Sequence, residues 1–251
     1  MTSINLEIIP TNFLIQSDSA YIPEVGEVLI LATGIMPGAF LDLGVLSFEE
    51  QQKARSIGAS DVRDRFVAGR QMIRQTLSPW LGIDPAAISL GVGESGKPFV
   101  RQDPSLHFSI SHSGEMLLAA FSRTEIGVDL ERQRHVERKA LARRFFSAAE
   151  DQYLAASTDE EMGKEQFFRL WTSREAAIKA DGRGMGALLG STRIILPWGW
   201  ESAIEPPVSD SLEVMIGNER WKVIPWRLRG GYHAALALRQ WPTLIHWRDL
   251  R

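Results

Sequence analysis

The stretch Glu125-Ile126-Gly127-Val128-Asp129-Leu130-Glu131 sets two carboxylates two residues apart in an alternating pattern. Ile126, Val128 and Leu130 alternate with Gly127, Asp129 and Glu131. A period of two predicts a strand whose apolar side meets a core and whose carboxylates come out on the other side. Their α-carbons then lie about 6.5–7 Å apart. Like charges that close repel unless something positive lies between them, and a divalent cation is the simplest such group. A solvated acidic strand face is the alternative. Further on, Glu175 and Lys179 stand four apart in a helical stretch and so share a face. Alone they make an ordinary stabilising pair. Beside Asp129 and Glu131, Glu175 becomes a third carboxylate. An all-oxygen donor set suits magnesium, which keeps places for water or a substrate phosphate.

Other residues carry a chemical and a structural reading side by side. Glu150 follows Ser147 at capping-box spacing, which points its side chain back to the start of its own helix. As a functional group it would be a general base, and spacing alone favours the cap. His112, in Phe108-Ser109-Ile110-Ser111-His112-Ser113-Gly114, falls at a strand end before a tight turn. Amides and hydroxyls there could hold a phosphate, or simply form a polar hairpin turn. Gly96-Lys97-Pro98 reads as a turn whose lysine could reach an anion. Lys53, Arg65, Arg70 and Arg74 give one helical face a basic character. Arg132, Arg134, Arg138, Lys139, Arg143 and Arg144 crowd a short stretch that holds only Glu137 in opposition. That stretch is either a solvated basic helix or a docking surface.

These residues must be positioned by regular elements. A strand is expected at 27–33, a capped helix at 47–56 (Ser47, Glu50), and a longer helix at 61–77 ended by Pro79 and Gly82, with Phe66, Ile73 and Leu77 on one face. Strands are expected near 88–92, 106–110 and 116–121, the last two joined by Ser113-Gly114-Glu115. After the acidic strand come a helix at 147–156, a long helix at 163–180 stopped by Gly182, and strands near 193–196, 212–216, 221–224 and 233–238. Pro206-Pro207 marks a loop. The order strand, helix, helix, strands thus occurs twice. Leu46-Ser47-Phe48-Glu49-Glu50 echoes Phe146-Ser147-Ala148-Ala149-Glu150, and Arg70, Ile73 and Arg74 match Glu175, Ile178 and Lys179 in relative place. The expectation is an α+β protein of two pseudo-symmetric α/β halves, 1–124 and 125–251, with a ligand at their interface.

Composition narrows the function. With 251 residues, 44% hydrophobic, the chain can bury a large core. A net charge of −3 argues against nucleic acid as a general partner. The absence of cysteine removes disulfides, thiol nucleophiles and thiolate zinc sites. The five histidines show no metal-ligand spacing. Neither a leader-like start nor a long apolar run is evident, so the expectation is a cytoplasmic protein with no membrane partner.

Taken in order, the motifs resemble those of the surfactin-type 4′-phosphopantetheinyl transferases. They are the helical region Leu46–Arg74, Gly96-Lys97-Pro98, Ser111-His112-Ser113, Gly127-Val128-Asp129-Leu130-Glu131, Phe145-Phe146-Ser147-Ala148-Ala149-Glu150 and Trp171-Thr172-Ser173-Arg174-Glu175-Ala176-Ala177-Ile178-Lys179. The resemblance runs from about Leu46 to Gly184, with a fainter trace at Gly231-Tyr232-His233-Ala234-Ala235. It implies transfer of the 4′-phosphopantetheine arm of coenzyme A to a serine of an apo acyl or peptidyl carrier protein, releasing adenosine 3′,5′-bisphosphate. It implies that Asp129, Glu131 and Glu175 hold magnesium, or manganese in its place. It makes Glu150 the base for the carrier serine, and sets Lys179 and His112 beside it in the catalytic group. Ser111 and His112 would hold phosphate oxygens, Gly96, Lys97 and Pro98 would line the adenine pocket, and Lys53 and Arg65 would take the nucleotide end. A monomer is implied. Two positions depart from the pattern: Arg174 stands where the family has lysine, and Glu50 where it often has a basic residue. Two rivals stay open, a metal-dependent hydrolase of a nucleotide pyrophosphate and an inactive binding module.

Overall fold

The computed structural model describes residues 6–10, 21–35, 41–157, 159–184, 186, 190–196 and 211–249. The chain divides into two compact units. The first comprises 1–93, 98–124 and 242–251, and the second 94–97 and 125–241. The split therefore departs from the halves read off the sequence at two points: the last ten residues join the first unit, and a four-residue turn joins the second.

The first unit is built on a five-stranded sheet. Its strands are β1 (Leu6–Pro10), β2 (Glu27–Gly34), β5 (His107–Ser113), β6 (Met116–Ser122) and β12 (Leu244–Asp249), in the order β1-β12-β2-β6-β5. A separate two-stranded ribbon joins β3 (Leu90–Val92) to β4 (Pro98–Val100). β5 and β6 form a hairpin whose two-residue loop begins at Gly114, with φ of 55°. Glycine in that first loop position suits the twist of the flanking strands. β6 is buried along its whole length. Helix α2 (Ser60–Leu81) carries Met72, Ile73 and Leu77 into a core with Leu29, Leu31, Phe108, Leu117 and Phe121. Phe66 instead packs with Leu46, Ala54 and Val67 beneath α1 (Phe48–Ser56), so the face expected to hold all three of Phe66, Ile73 and Leu77 is divided between two clusters.

Pro79 lies inside α2 and does not end it. In the last turn a proline removes a single ladder bond, and Trp80 just beyond it packs edge-on against Phe121 at 5.4 Å. The stop is Gly82, in the left-handed region at φ 66°. Strands β1 and β12 have no counterpart among the elements expected from the sequence. They pair parallel with each other, and β12 pairs parallel with β2.

The second unit is a five-stranded antiparallel sheet ordered β7-β11-β10-β9-β8. The strands are β7 (Ile126–Arg132), β8 (Thr192–Ile195), β9 (Leu212–Ile216), β10 (Glu219–Leu228) and β11 (Tyr232–Leu238). The helices are α3 (Arg138–Phe145), α4 (Ala148–Ala155) and α5 (Glu160–Asp181). β10 continues through Pro225, which pairs with Ala235 of β11, while its described pairing with β9 ends at Val223. α5 ends at Gly182, φ 79°. Its Phe167, Phe168, Ala176, Ala177 and Ile178 join Trp221, Val223, Ala235 and Ala237 of the sheet in one core. Among the described residues no helix is long and apolar enough to cross a membrane. The expected loop at Pro206-Pro207 lies outside the described residues.

Each unit thus sets a long helix, preceded by a short capped one, with a five-stranded sheet. Both capping boxes are formed as expected: Ser47 with Glu50, and Ser147 with Glu150. The match of Arg70 and Arg74 with Glu175 and Lys179 is not the register the structure uses. Arg74 corresponds to Arg174, because each reaches the capping-box glutamate of its own unit.

Candidate active site

β7 is buried on both faces from Ile126 to Leu130, and only Glu131 and Arg132 emerge. The alternation correctly sorted the residues by side, but the carboxylate side is not a solvated face. It lies under α5. Gly127 is the reason α5 can come so close. A Cβ there would sit 2.9 Å from the Ala180 α-carbon, and nearer still to the Ala176 carbonyl and the Ala180 amide. With α5 pressed onto the strand, Lys179 Nζ reaches Asp129 Oδ1 at 2.6 Å, and Asp129 is only 2% exposed.

Glu175, one turn before Lys179, hydrogen-bonds with Asp129. Burial pushes its carboxyl up to about 8, and the charges of Asp129 and Glu131 push in the same direction against the pull of Lys179. A carboxyl held protonated beside a second carboxylate is the arrangement expected where two acids share one place. The structure therefore brings Asp129, Glu131 and Glu175 within electrostatic reach of one another. Among the described residues no three acidic or imidazole groups are arranged so as to hold a metal ion. Lys179 holds the Asp129 oxygen instead.

His233 is a neighbour to which the sequence assigned no role. It sits directly opposite Glu131 across the β7–β11 ladder, on the same side of the sheet. It is 2% exposed and stacks on Phe168 of α5 at 5.4 Å. Burial, helped by Arg227, lowers its pKa to about 4, so the ring is neutral near pH 7. In the sequence its position is marked by the trace Gly231-Tyr232-His233-Ala234-Ala235, and the β7–β11 register is what sets it opposite Glu131.

Glu150 is fully buried. Oε1 accepts from Arg174 at 2.9 Å and from the Ile194 amide at 2.6 Å. Oε2 accepts from Arg174 at 2.8 Å and from the Ser147 amide at 2.6 Å. Arg174 also gives Nη1 to the Thr192 carbonyl at 2.6 Å, and its guanidinium lies 4.6 Å from the Phe146 ring centroid.

The remaining candidates fall in several places. Gly96 makes the turn between β3 and β4, φ 89°, and Pro98 opens β4 instead of closing the turn. Lys97 Nζ donates to the Ala180 carbonyl at 2.5 Å, capping the end of α5 where a cation complements the helix dipole. Burial lowers its pKa against the pull of Glu125 and Asp181. Ser111 is buried and His112 exposed, on opposite faces of β5 as neighbours in a strand must be. Lys53 is exposed on α1 with its ammonium 5.1 Å from the Phe66 ring centroid, and Arg70 lies 5.5 Å from the same ring. Arg65 pairs with Asp61 at 2.8 Å. On α3, Lys139, Arg143 and Arg144 are exposed.

Two family models match this architecture. Residues 125–237, nearly the whole second unit, match the 4′-phosphopantetheinyl transferase superfamily, and residues 40–124 match a 4′-phosphopantetheinyl transferase N-terminal model. The chain belongs to the 4′-phosphopantetheinyl transferase superfamily, and it is an enzyme of that class. More particularly, it is of the Sfp type. It is 33% identical over 165 residues to a 4′-phosphopantetheinyl transferase of Bacillus subtilis, covering 66% of this chain and 73% of that protein. It is 31% identical over 169 residues to the 4′-phosphopantetheinyl transferase Sfp of Bacillus subtilis strain 168, covering 67% and 75%. The 4′-phosphopantetheinyl transferase HetI of Nostoc sp. is 36% identical over 148 residues, covering 57% and 62%.

Proposed function

We propose that this transferase moves the 4′-phosphopantetheine arm of coenzyme A onto a serine of an apo acyl or peptidyl carrier protein, releasing adenosine 3′,5′-bisphosphate. The observation that carries the reading is the convergence of Asp129, Glu131, Glu175 and Lys179 where α5 meets β7. Three carboxylates with one ammonium and no sulfur ligand suit a hard cation bound through oxygen, so the residues fit magnesium or manganese. Asp129, Glu131 and Glu175 would hold it. When bound, it would supply positive charge against the phosphate oxygens of the coenzyme A pyrophosphate.

The chain's own residues do the remaining work. The serine oxygen forms a bond to the phosphorus bearing the pantetheine arm. The bond from that phosphorus to the bridging pyrophosphate oxygen breaks, and its electron pair leaves on the 5′-phosphate of adenosine 3′,5′-bisphosphate. Such transfer needs positioning and charge neutralisation more than covalent help. Lys179 would place its ammonium on the pyrophosphate. His112, exposed on β5, would meet phosphate oxygens, with Ser111 beside it through the backbone. Lys53 and Arg65 would take the nucleotide end, and Gly96 and Pro98 the adenine. The exposed cations of α3 would meet a carrier surface of opposite charge, which speeds encounter more than it tightens binding. The serine proton passes to a base. The resemblance offers Glu150, whose filled hydrogen bonds speak against it.

The test is to mix the chain with coenzyme A, magnesium and several apo carrier proteins and weigh the carriers by mass spectrometry. Attachment of the arm to a carrier serine is expected. Absence of any modified carrier, in a mixture where a working transferase of this family modifies them, would reject the proposal. Consumption of coenzyme A with no carrier present would favour hydrolysis instead.

A further inference from the structure

Glu50 and Glu150 occupy matching places in their respective units. Each stands third in its helix behind a serine cap. Ser47 and Ser147 each accept from the glutamate amide at 3.3 Å, and each serine amide donates back to the glutamate Oε2, at 3.2 and 2.6 Å. Each glutamate then takes an arginine 24 residues further on, from the long helix of its unit. Arg74 Nε reaches Glu50 at 2.6 Å, and Arg174 Nη2 reaches both oxygens of Glu150 at 2.9 and 2.8 Å. Each arginine gives its Nη1 to carbonyls in the segment that follows its helix. For Arg74 these are Pro85 and Ile88, at 2.6 and 2.9 Å, and for Arg174 it is Thr192, at 2.6 Å. Both arginines are buried, at 1% and 0% exposure.

We infer that Glu150 is a positioning residue, the second copy of the clamp that Glu50 and Arg74 form in the first unit, and does not accept the serine proton. The inference rests on the transferase reading above. A general base needs a lone pair within reach of the proton it removes. A carboxylate offers about four acceptor positions, and those of Glu150 are taken by Arg174 twice and by the Ser147 and Ile194 amides. Protonating it would break the bidentate pair and strand a buried guanidinium. The first unit supplies the control, because Glu50 makes the same clamp far from the acidic strand in sequence.

The clamp has a definite use in the second unit. It ties the start of α4, the middle of α5 and the start of β8 together around Arg174. Arg174 immediately precedes Glu175, so the clamp sets the rotation and height of α5 that turn Glu175 and Lys179 toward β7. It also accounts for arginine where the resembled family has lysine. The planar fork holds its two arms in fixed directions, Nη2 on both Glu150 oxygens and Nη1 on the Thr192 carbonyl, and an ammonium on a flexible stem has no such fixed arms.

The experiment has a stability arm and a kinetic arm. Melting of the full-length Glu50→Gln and Glu150→Gln variants is expected to show a lowered Tm for both. An unchanged or raised Tm in Glu150→Gln would overturn the clamp, and this arm stands whether or not the chain modifies any carrier. For kinetics, the pair is replaced by apolar residues of similar size, E150L with R174M, and assayed against a carrier that the wild type modifies. The inference expects a kcat lowered by displacement of α5 but an unmoved acid limb in the pH profile of kcat/KM, whereas loss of a general base costs about 10²–10⁴-fold and takes that limb with it. A folded double variant that loses at least about a hundredfold in kcat together with its acid limb would overturn the inference. If the double variant does not fold, the residual activity of Glu150→Gln decides between the two roles. An acid limb that persists supports the clamp, and one that vanishes refutes it. A wild type that modifies no carrier fails the transferase reading, a result distinct from either.

Discussion

Gly127→Ala should disable the enzyme without touching a charged group. The added methyl would lie 2.9 Å from the Ala180 α-carbon and closer to the Ala176 carbonyl and Ala180 amide. Those are backbone atoms of a helix and have no rotamer to escape into. Carbon atoms in contact settle at about 3.5–4.0 Å, so α5 has to back away from β7 by about 1 Å. Overpacking of this kind costs about 1–3 kcal/mol, which for a chain of this size lowers Tm by about 2–12 °C. The larger effect falls on the site. The Lys179–Asp129 contact of 2.6 Å and the Glu175–Asp129 hydrogen bond both bridge α5 and β7. A misplacement of about 1 Å in a reacting constellation can cost about a hundredfold in rate. Differential scanning fluorimetry and carrier modification at saturating magnesium would measure the two effects. A Gly127→Ala chain with wild-type Tm and wild-type turnover would refute the claim that close approach of α5 builds this site.

Other expectations follow from the same geometry. Asp129→Ala or Glu175→Ala should abolish carrier modification while the circular dichroism spectrum stays native, and unchanged turnover in either would contradict their assignment to the cation. With its carboxyl raised from 4.5 to about 8, Glu175 should be protonated at pH 7 in the metal-free chain. Magnesium binding should then release close to one proton, read by calorimetry in buffers of different ionisation enthalpy, and affinity should rise about tenfold per pH unit until about pH 8. The same raised pKa means that stability from Glu175 is fully present below about pH 4.5 and is lost as pH climbs through about 8. Glu175→Gln should remove that decline from the melting curves of the metal-free chain. Reversing Lys139, Arg143 and Arg144 to glutamate should slow modification of an acidic carrier mainly through kcat/KM, and the difference from wild type should shrink as salt screens it. Lys97→Met, by uncapping α5, should lower Tm modestly, since a cation at a helix C-terminus contributes about 0.3–1 kcal/mol.

The legible parts of this protein are those set by neighbours a few residues apart. Both capping boxes can be read from a serine and a glutamate three positions on, and both form. The end of α5 can be read from Gly182, and the sidedness of β7 from strict alternation. The 24-residue spacing from glutamate to arginine is also present twice in the chain. It is masked because Arg70 and Arg74 look like partners for Glu175 and Lys179, and only the bonds each arginine makes show that Arg74 answers to Arg174.

Alternation tells which residues share a side of β7 but not what covers that side. Asp129, for which a solvated strand face is one reading of the sequence, is buried because a helix about fifty residues further along lies on it, at a distance that one glycine permits, while Glu131 emerges at the strand end. The membership of β12 in the first unit has no local signal at all, since its partners β1 and β2 come from the other end of the chain. Hydrogen bonds and steric preferences within a turn of chain act wherever that turn finds itself, so sequence alone determined caps, stops and faces. Which face meets which is a matter of total burial over the folded unit, and only the tertiary structure decides it.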